Sequence, residues 1–248
     1  QYTIRAGEND TDGISIGANA LLPNGSTIRD AAGNYATNLT HDSVTYNSSF
    51  KVDTTSPTAN FTKATDNVGT VQGDFTSDNT TDDTTLVLSG TNEAGSSVKV
   101  YDNSTELGTA TAADNGTSWS YTATVANGTT HQFNVRETDL AGNTSAATSN
   151  LAVTGDTTAP TAPSVSGTTP TDNTTPTWNW SAGGGGNGTY RYKLDNSDLT
   201  SGATETTSTS YTPGSGISEA SHILYVQERD AAGNWSSSGS RTIVIDTT

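Results

Sequence analysis

The chain has 248 residues, 26 acidic against 10 basic side chains, a net charge of −16 and a pI near 4.2. That balance excludes nucleic acid and an anionic membrane surface as partners, since both need clustered cations, and it favours hard cations such as Ca2+, which take carboxylate and carbonyl oxygens. Cysteine is absent, which excludes disulfides, thiolate metal sites and Cys nucleophiles, and no apolar run reaches the length of a membrane span.

Large aliphatic residues are sparse, and with this charge disorder would be the default. The apolar residues nevertheless fall in alternating, strand-like runs. Gln1 opens directly into such a run without a leader, as in an internal piece of a longer chain. Residues 2–5, 13–16 and 26–29 read as strands, and residues 50–52 as a closing one. Four short strands are too few to close a sandwich, so residues 1–54 are expected to be the C-terminal half of a module. Strands from outside this chain should complete it, covering Ile14, Ile16, Ile28 and Val52.

Residues 55–158 read as a complete module. Its strands are expected at 58–62, 85–90, 97–102, 105–113, 118–125, 131–139 and 149–153, with turns at Asn92-Glu93-Ala94-Gly95, Asn115-Gly116 and Asn127-Gly128. Residues 63–84 read as one long, aspartate-rich polar loop. Residues 159–248 read as a second complete module, with strands at 163–166, 177–181, 189–195, 210–212, 221–230 and 240–245. No segment carries apolar residues at helical spacing over 11 or more positions.

Two phrases recur along the chain. Asp-X-Ala-Gly-Asn occurs at Asp30, Asp139 and Asp230, and each copy is followed by Asp-Thr-Thr at Asp53, Asp156 and Asp246. A repeated pair of phrases marks a repeated unit, and its spacing of about 90–100 residues suits an immunoglobulin-like sandwich. The predicted fold is therefore all-β: tandem immunoglobulin-like β-sandwiches in a linear array, without significant helix.

The strands before the last two Asp-X-Ala-Gly-Asn loops, His131–Asp139 and His222–Asp230, match position by position. Their alternate residues put His, an apolar residue, Val, Glu and Asp on one face. Glu137 and Asp139 should then meet the linker residue Asp53 at one pole, and Glu228 and Asp230 should meet Asp156 at the next. Three carboxylates with carbonyls and water suit calcium; the competing reading is a strand end whose Asp accepts turn N–H groups. Asp66 and Asn67, with Asp74, Asp78, Asp82 and Asp83, form a second candidate calcium site at the opposite pole near Asp156, completing the second junction or holding its own ion, or else a polar loop. Trp178 and Trp180, two apart on one strand, are expected in the core, or alternatively on a sugar-binding platform extended by Tyr211 and Trp235. Ile223 and Tyr225 would face outward. His131 and His222 occupy matching framework positions, and no Gly-X-Ser-X-Gly elbow is present, so an enzyme is not expected.

The motifs Leu86-Val-Leu-Ser-Gly-Thr-Asn-Glu-Ala-Gly-Ser-Ser-Val98, Val100-Tyr-Asp-Asn103, Trp119-Ser-Tyr121 and Tyr225-Val-Gln-Glu-Arg-Asp-Ala-Ala-Gly-Asn234 resemble the tandem bacterial immunoglobulin-like repeats of giant Gram-negative adhesins. These are the biofilm-associated and repeats-in-toxin (RTX) adhesins exported by type I secretion. The resemblance covers 55–158 as a bacterial Ig-like domain, 159–248 as a bacterial Ig-like or fibronectin-III-like domain, and 1–54 as a partial third. It implies extracellular, calcium-rigidified extender modules that project a ligand-binding region towards a cell-surface or glycan ligand. It also implies calcium-associated roles for Asp53, Asp156, Asp246, Asp30, Asp139 and Asp230. Ile28 departs from the pattern, standing where Glu137 and Glu228 stand in the later modules. The rival functions are a carbohydrate- or surface-binding third module, and an accessory region of a secreted polysaccharide-degrading enzyme.

Overall fold

The computed structural model describes residues 3–11, 13–20, 22, 25, 27–36, 39–48, 51–112 and 116–248. Tyr2, Phe50 and Asn115 lie outside the described residues, as do the side chains of Ile14 and Tyr46. In the first 54 residues two strands, β1 (Ile14–Ile16) and β2 (Val44–Asn47), pair antiparallel, and bridges join Asp10 to Val52 and Arg29 to Tyr35. Residues 3–5, expected as a strand, are irregular, and β2 is a strand the sequence did not suggest. Ile16, Ile28 and Val44 are exposed and Val52 is half-buried.

The next ten strands form two five-stranded sheets. They are β3 (Asn60–Asp66), β4 (Gly73–Phe75), β5 (Asn79–Thr81), β6 (Thr85–Thr91), β7 (Ser97–Asp102), β8 (Thr105–Thr109), β9 (Thr111–Ala112), β10 (Ser118–Thr124), β11 (Thr130–Thr138) and β12 (Leu151–Gly155). One sheet runs β4-β3-β6-β10-β9 and the other β5-β12-β11-β7-β8. Period-2 alternation sends Leu86 and Leu88 of β6, Trp119 and Ala123 of β10, and Phe133 and Val135 of β11 into the shared core. Gly90 is required by that packing: a Cβ there would lie 2.0 Å from the Asn60 carbonyl oxygen and 2.8 Å from the Trp119 ring. The Trp119 indole N–H donates to that same carbonyl at 3.1 Å.

The stretch 63–84 is not a loop. It holds the end of β3, all of β4 and all of β5. Both are three-residue edge strands, Gly-Asp-Phe and Asn-Thr-Thr, too short and polar to show apolar alternation.

The last seven strands build a smaller sandwich: β13 (Ser164–Ser166), β14 (Trp178–Ser181), β15 (Thr189–Leu194), β16 (Thr204–Thr206), β17 (Ser210–Tyr211), β18 (Ser221–Arg229) and β19 (Gly239–Val244). The sheets run β13-β14-β17 and β16-β15-β18-β19; β16 was not foreseen. Trp178 and Trp180 lie in its core, 0% and 5% exposed, with Leu224, Val226 and Ile243. Tyr211 packs on Trp178 and Tyr192 inside the same core, whereas Trp235 lies elsewhere. Trp178 and Trp180 are thus core residues as expected, and the alternative platform is not formed, since these two rings are buried and Trp235 lies apart from them. Ile223 and Tyr225 are half-buried, and so do not form an exposed patch.

The matching histidines are framework residues with different partners on Nε2. His131 Nδ1 lies 2.8 Å from Asp102 Oδ2, and the Ala126 N–H donates to His131 Nε2 at 3.0 Å. His222 Nδ1 lies 2.7 Å from Asp195 Oδ2, but its Nε2 faces the Ser218 carbonyl at 3.0 Å. Both of its nitrogens meet acceptors, which is the setting of an imidazolium, and the Asp195 hydrogen bond raises its pKa above the ordinary value.

Candidate functional site

The recurring phrases prove to be the two halves of a joint. In each Asp-X-Ala-Gly-Asn loop the Asp carboxylate closes its own turn. Asp139 Oδ1 accepts from the N–H groups of Ala141 and Asn143, and its Oδ2 accepts from Asn143 Nδ2. Asp30 and Asp230 repeat the arrangement with Asn34 and Asn234. These bonds hold the Asp30 carboxyl below its ordinary pKa, Asn34 contributing most. The glycine after them takes a positive φ, +94° at Gly142 and +111° at Gly233, which only glycine adopts freely.

Each Asp-Thr-Thr linker turns on its own Asp. The Oδ1 atoms of Asp53, Asp156 and Asp246 accept from the N–H groups of Thr55, Thr158 and Thr248. The two phrases then meet. The amide of Asn143 donates to the Asp53 carbonyl at 2.9 Å, and that of Asn234 to the Asp156 carbonyl at 2.8 Å. These are the residues that the sequence offers as calcium ligands, and in the structure their carboxylates close turns. Sequence reading did not identify the asparagines as clamps, although their invariant place in the three copies was the available signal. Asn127 adds a further clasp at the second joint, accepting from the Thr157 N–H at 2.9 Å. Asn234→Ala should loosen the second linker by the worth of one or two hydrogen bonds, about 0.5–1.5 kcal/mol each. Amide exchange at Thr157 and Thr158 should accelerate, whereas unchanged exchange would mean that other contacts hold the linker.

Behind each loop sits a buried glutamate. Glu137 and Glu228 are 0% and 1% exposed. Glu137 Oε1 accepts from Glu93 N–H at 2.6 Å and Ser96 Oγ at 2.5 Å; Glu228 Oε1 accepts from Gly188 N–H at 3.3 Å. Their backbones are matched as well, Ser145 and Ser236 each exchanging two bonds with the glutamate's N–H and carbonyl. In the first module Ile28 and Ala36 replace this Glu–Ser pair, keeping only the backbone bond from Ala36 N–H to the Ile28 carbonyl. In both complete modules the second glutamate oxygen, Oε2, is buried without a partner in hydrogen-bond geometry, although the Tyr190 hydroxyl stands beside Glu228, and burial and then that carboxylate raise the tyrosine's pKa. Two such orphans at equivalent positions call for an explanation.

The two joints differ. At the first, Asp53, Glu93 and Asp139 line a cleft of about 380 Å³ with Lys51 and Leu140. At the second, the segment after β3 reaches across to the third module: Trp235 Nε1 donates to Thr70 Oγ1 at 3.2 Å, and Val71 packs on Gly233. Trp235 is flanked by the guanidinium groups of Arg191 and Arg229, at 4.3 and 5.5 Å from its ring centre.

Beneath this contact lie Asp66, Asp82 and Asp83. Asp66 and Asp83 are buried and engaged, Asp66 by Thr81 Oγ1 and Val68 N–H, Asp83 by the N–H groups of Thr85 and Asn67. Asp82 is not so engaged. Its Oδ1 is buried and unpartnered. Burial, and then the negative charges of Asp66, Asp230 and Asp83, push its pKa up from the ordinary 3.8. Asp82 and Asp230 belong to different modules, so the crowding of charge spans the joint. Among the described residues, no three Asp, Glu or His side chains stand in an arrangement that could hold a metal ion, and among these residues no helix is long and apolar enough to cross a membrane.

Residues 55–157 match the family of bacterial Ig-like domains. No curated protein matches the sequence. Among solved structures, the fibronectin(III)-like modules of Clostridium thermocellum CbhA are similar at 17% identity, over 68% of this chain and 90% of theirs, with a TM-score of 0.40. The FN1–FN3 domains of chicken CNTN1 are similar at 14% identity, over 87% of this chain and 72% of theirs, with a TM-score of 0.44.

Proposed function

We propose that the chain is a stretch of extender modules from an extracellular, surface-attached adhesin of the RTX, biofilm-associated kind, stiffened at its joints by calcium. The array acts as a spacer that carries a ligand-binding region away from the cell, and it performs no chemistry of its own. Residues 1–54 are completed by strands from outside this chain; the exposure of Ile16, Ile28 and Val44 supports this.

One observation carries the calcium reading: Asp82, with an unpartnered buried oxygen, is crowded by Asp66, Asp83 and, across the joint, Asp230. The donor set fits a hard cation, being all oxygen and strongly anionic. Asp82 and Asp230 would hold the ion together with backbone carbonyls and water, because no three acidic side chains among the described residues form a ready-made site. Bound calcium supplies the positive charge that lets these carboxylates approach. Without it they repel across the joint, and the asparagine clamps, helped at the second joint by the Trp235–Thr70 and Val71–Gly233 contacts, are left to resist bending.

Small-angle scattering tests the proposal. In calcium the chain should keep a longer maximum dimension and a narrower distribution of distances than in chelator, and Asp82→Ala should scatter alike in both conditions. Identical scattering curves in the two conditions would sink the calcium-stiffened joint.

A further inference from the structure

The two complete sandwiches hold their terminal strands through backbone ladders of unequal length. The second module receives the linker at the pole of the 139–143 loop and sends its own out at the pole of Asp66, Asp82 and Asp83. A pull on the termini is therefore directed along the strands. Inter-strand hydrogen bonds lie roughly perpendicular to that direction, so a pull along paired strands loads all their bonds together, in shear, rather than one after another.

In the second module the exit strand β12 pairs in parallel with β5 through Val153↔Asn79, Thr154↔Thr80 and Gly155↔Thr81. Asp156 N–H extends that ladder to the Thr81 carbonyl at 2.8 Å, and a further parallel bridge joins Gly155 to Asn127. The incoming strand β3 meets β6 through five register pairs. In the third module the matching parallel contact is one isolated bridge, Thr171↔Ile245, made by Thr171 N–H to the Val244 carbonyl at 3.0 Å and Asp246 N–H to the Thr171 carbonyl at 2.9 Å. Its incoming strand β13 meets β14 through three register pairs. The parallel contact and the incoming ladder are both shorter in the third module, although its exit strand β19 pairs antiparallel with β18 through six positions against four for β12 with β11.

We infer that the β5–β12 ladder makes the second module a shear clamp, and that under tension the third module yields first. The array then has a built-in order of extension: the third module lengthens under load while the second holds. This ordering depends on backbone ladders and not on calcium.

The test is single-molecule pulling of the whole chain from its ends, in chelator so that no cation contributes. Two principal rupture events are expected, at clearly different forces. The native chain has no cysteine, so engineered pairs at sheet-bridge partners can be oxidised as locks. Thr171→Cys with Ile245→Cys shields the chain between those residues, on the order of 250 Å when extended at about 3.4 Å per residue. Oxidation of this pair should remove that length from the low-force event and leave the high-force event intact. Thr80→Cys with Thr154→Cys should do the reverse, and each reduced form serves as the folding control for its lock. Because the second pair sits on partly exposed threonines, it remains informative even if the change at buried Ile245 weakens the third module. Rupture of both modules at one force, or loss of the low-force event on locking residues 80 and 154, would overturn the inference.

Discussion

Millimolar calcium should raise the melting temperature of this chain by on the order of 10 °C. An ion that binds only the folded state at a hundredfold excess over its Kd contributes about 2.7 kcal/mol, and for a module of roughly 100 residues that is a shift of this size or somewhat more. Asp82→Asn should remove most of the rise. In chelator the same substitution should have the opposite sign and stabilise, because it deletes one charge from the group formed with Asp66, Asp83 and Asp230. The pH dependence follows from the same crowding. The Asp82 pKa is higher in the folded state than its ordinary 3.8, so the folded chain holds that proton more tightly than the unfolded one. The resulting stabilisation is present in acid and is lost as pH rises from 3.8 through the folded value. Melts in chelator should therefore show this contribution fading across the carboxylate range, and calcium should flatten it. Equal melting temperatures in chelator and calcium would rule out a structural ion.

Trp178→Ala should cost about 3–5 kcal/mol, enough to unfold the third module while the second keeps its own transition. The ring is fully buried among Leu224, Val226 and Ile243, and its indole N–H donates to the Arg241 carbonyl at 2.9 Å. Trp178→Phe should cost less, since it keeps most of the volume and loses chiefly that hydrogen bond. Urea unfolding followed by circular dichroism separates the two transitions. A single unshifted transition would mean that the ring does not support the core.

The sandwich architecture was legible because buried strands write themselves in period-2 alternation. His131 to Glu137 and His222 to Glu228 show it plainly, and both strands fold with their alternate residues inward. Strands β4, β5 and β16 were not legible: they lie at sheet edges and are rich in Thr, Asp and Gly, so no apolar face announces them. Composition showed that acids gather at the poles, but it could not show which oxygens stay free. Asp139 and Glu137 stand two residues apart on one strand; the turn engages both oxygens of the first, and the second keeps one oxygen unpartnered. That distinction depends on where backbone N–H groups point after folding, which residue type alone does not encode.

Each joint is closed by an asparagine amide on a backbone carbonyl, that of residue 53 or of residue 156. A carbonyl is the same whatever side chain its residue carries. The coupling therefore acts as a standard connector: it recognises the course of the preceding chain and not the identity of the module behind it. Modules with unlike cores can be shuffled, duplicated or deleted, and the string remains joinable provided that each newcomer brings an Asp-X-Ala-Gly-Asn loop at one end and a turned linker at the other.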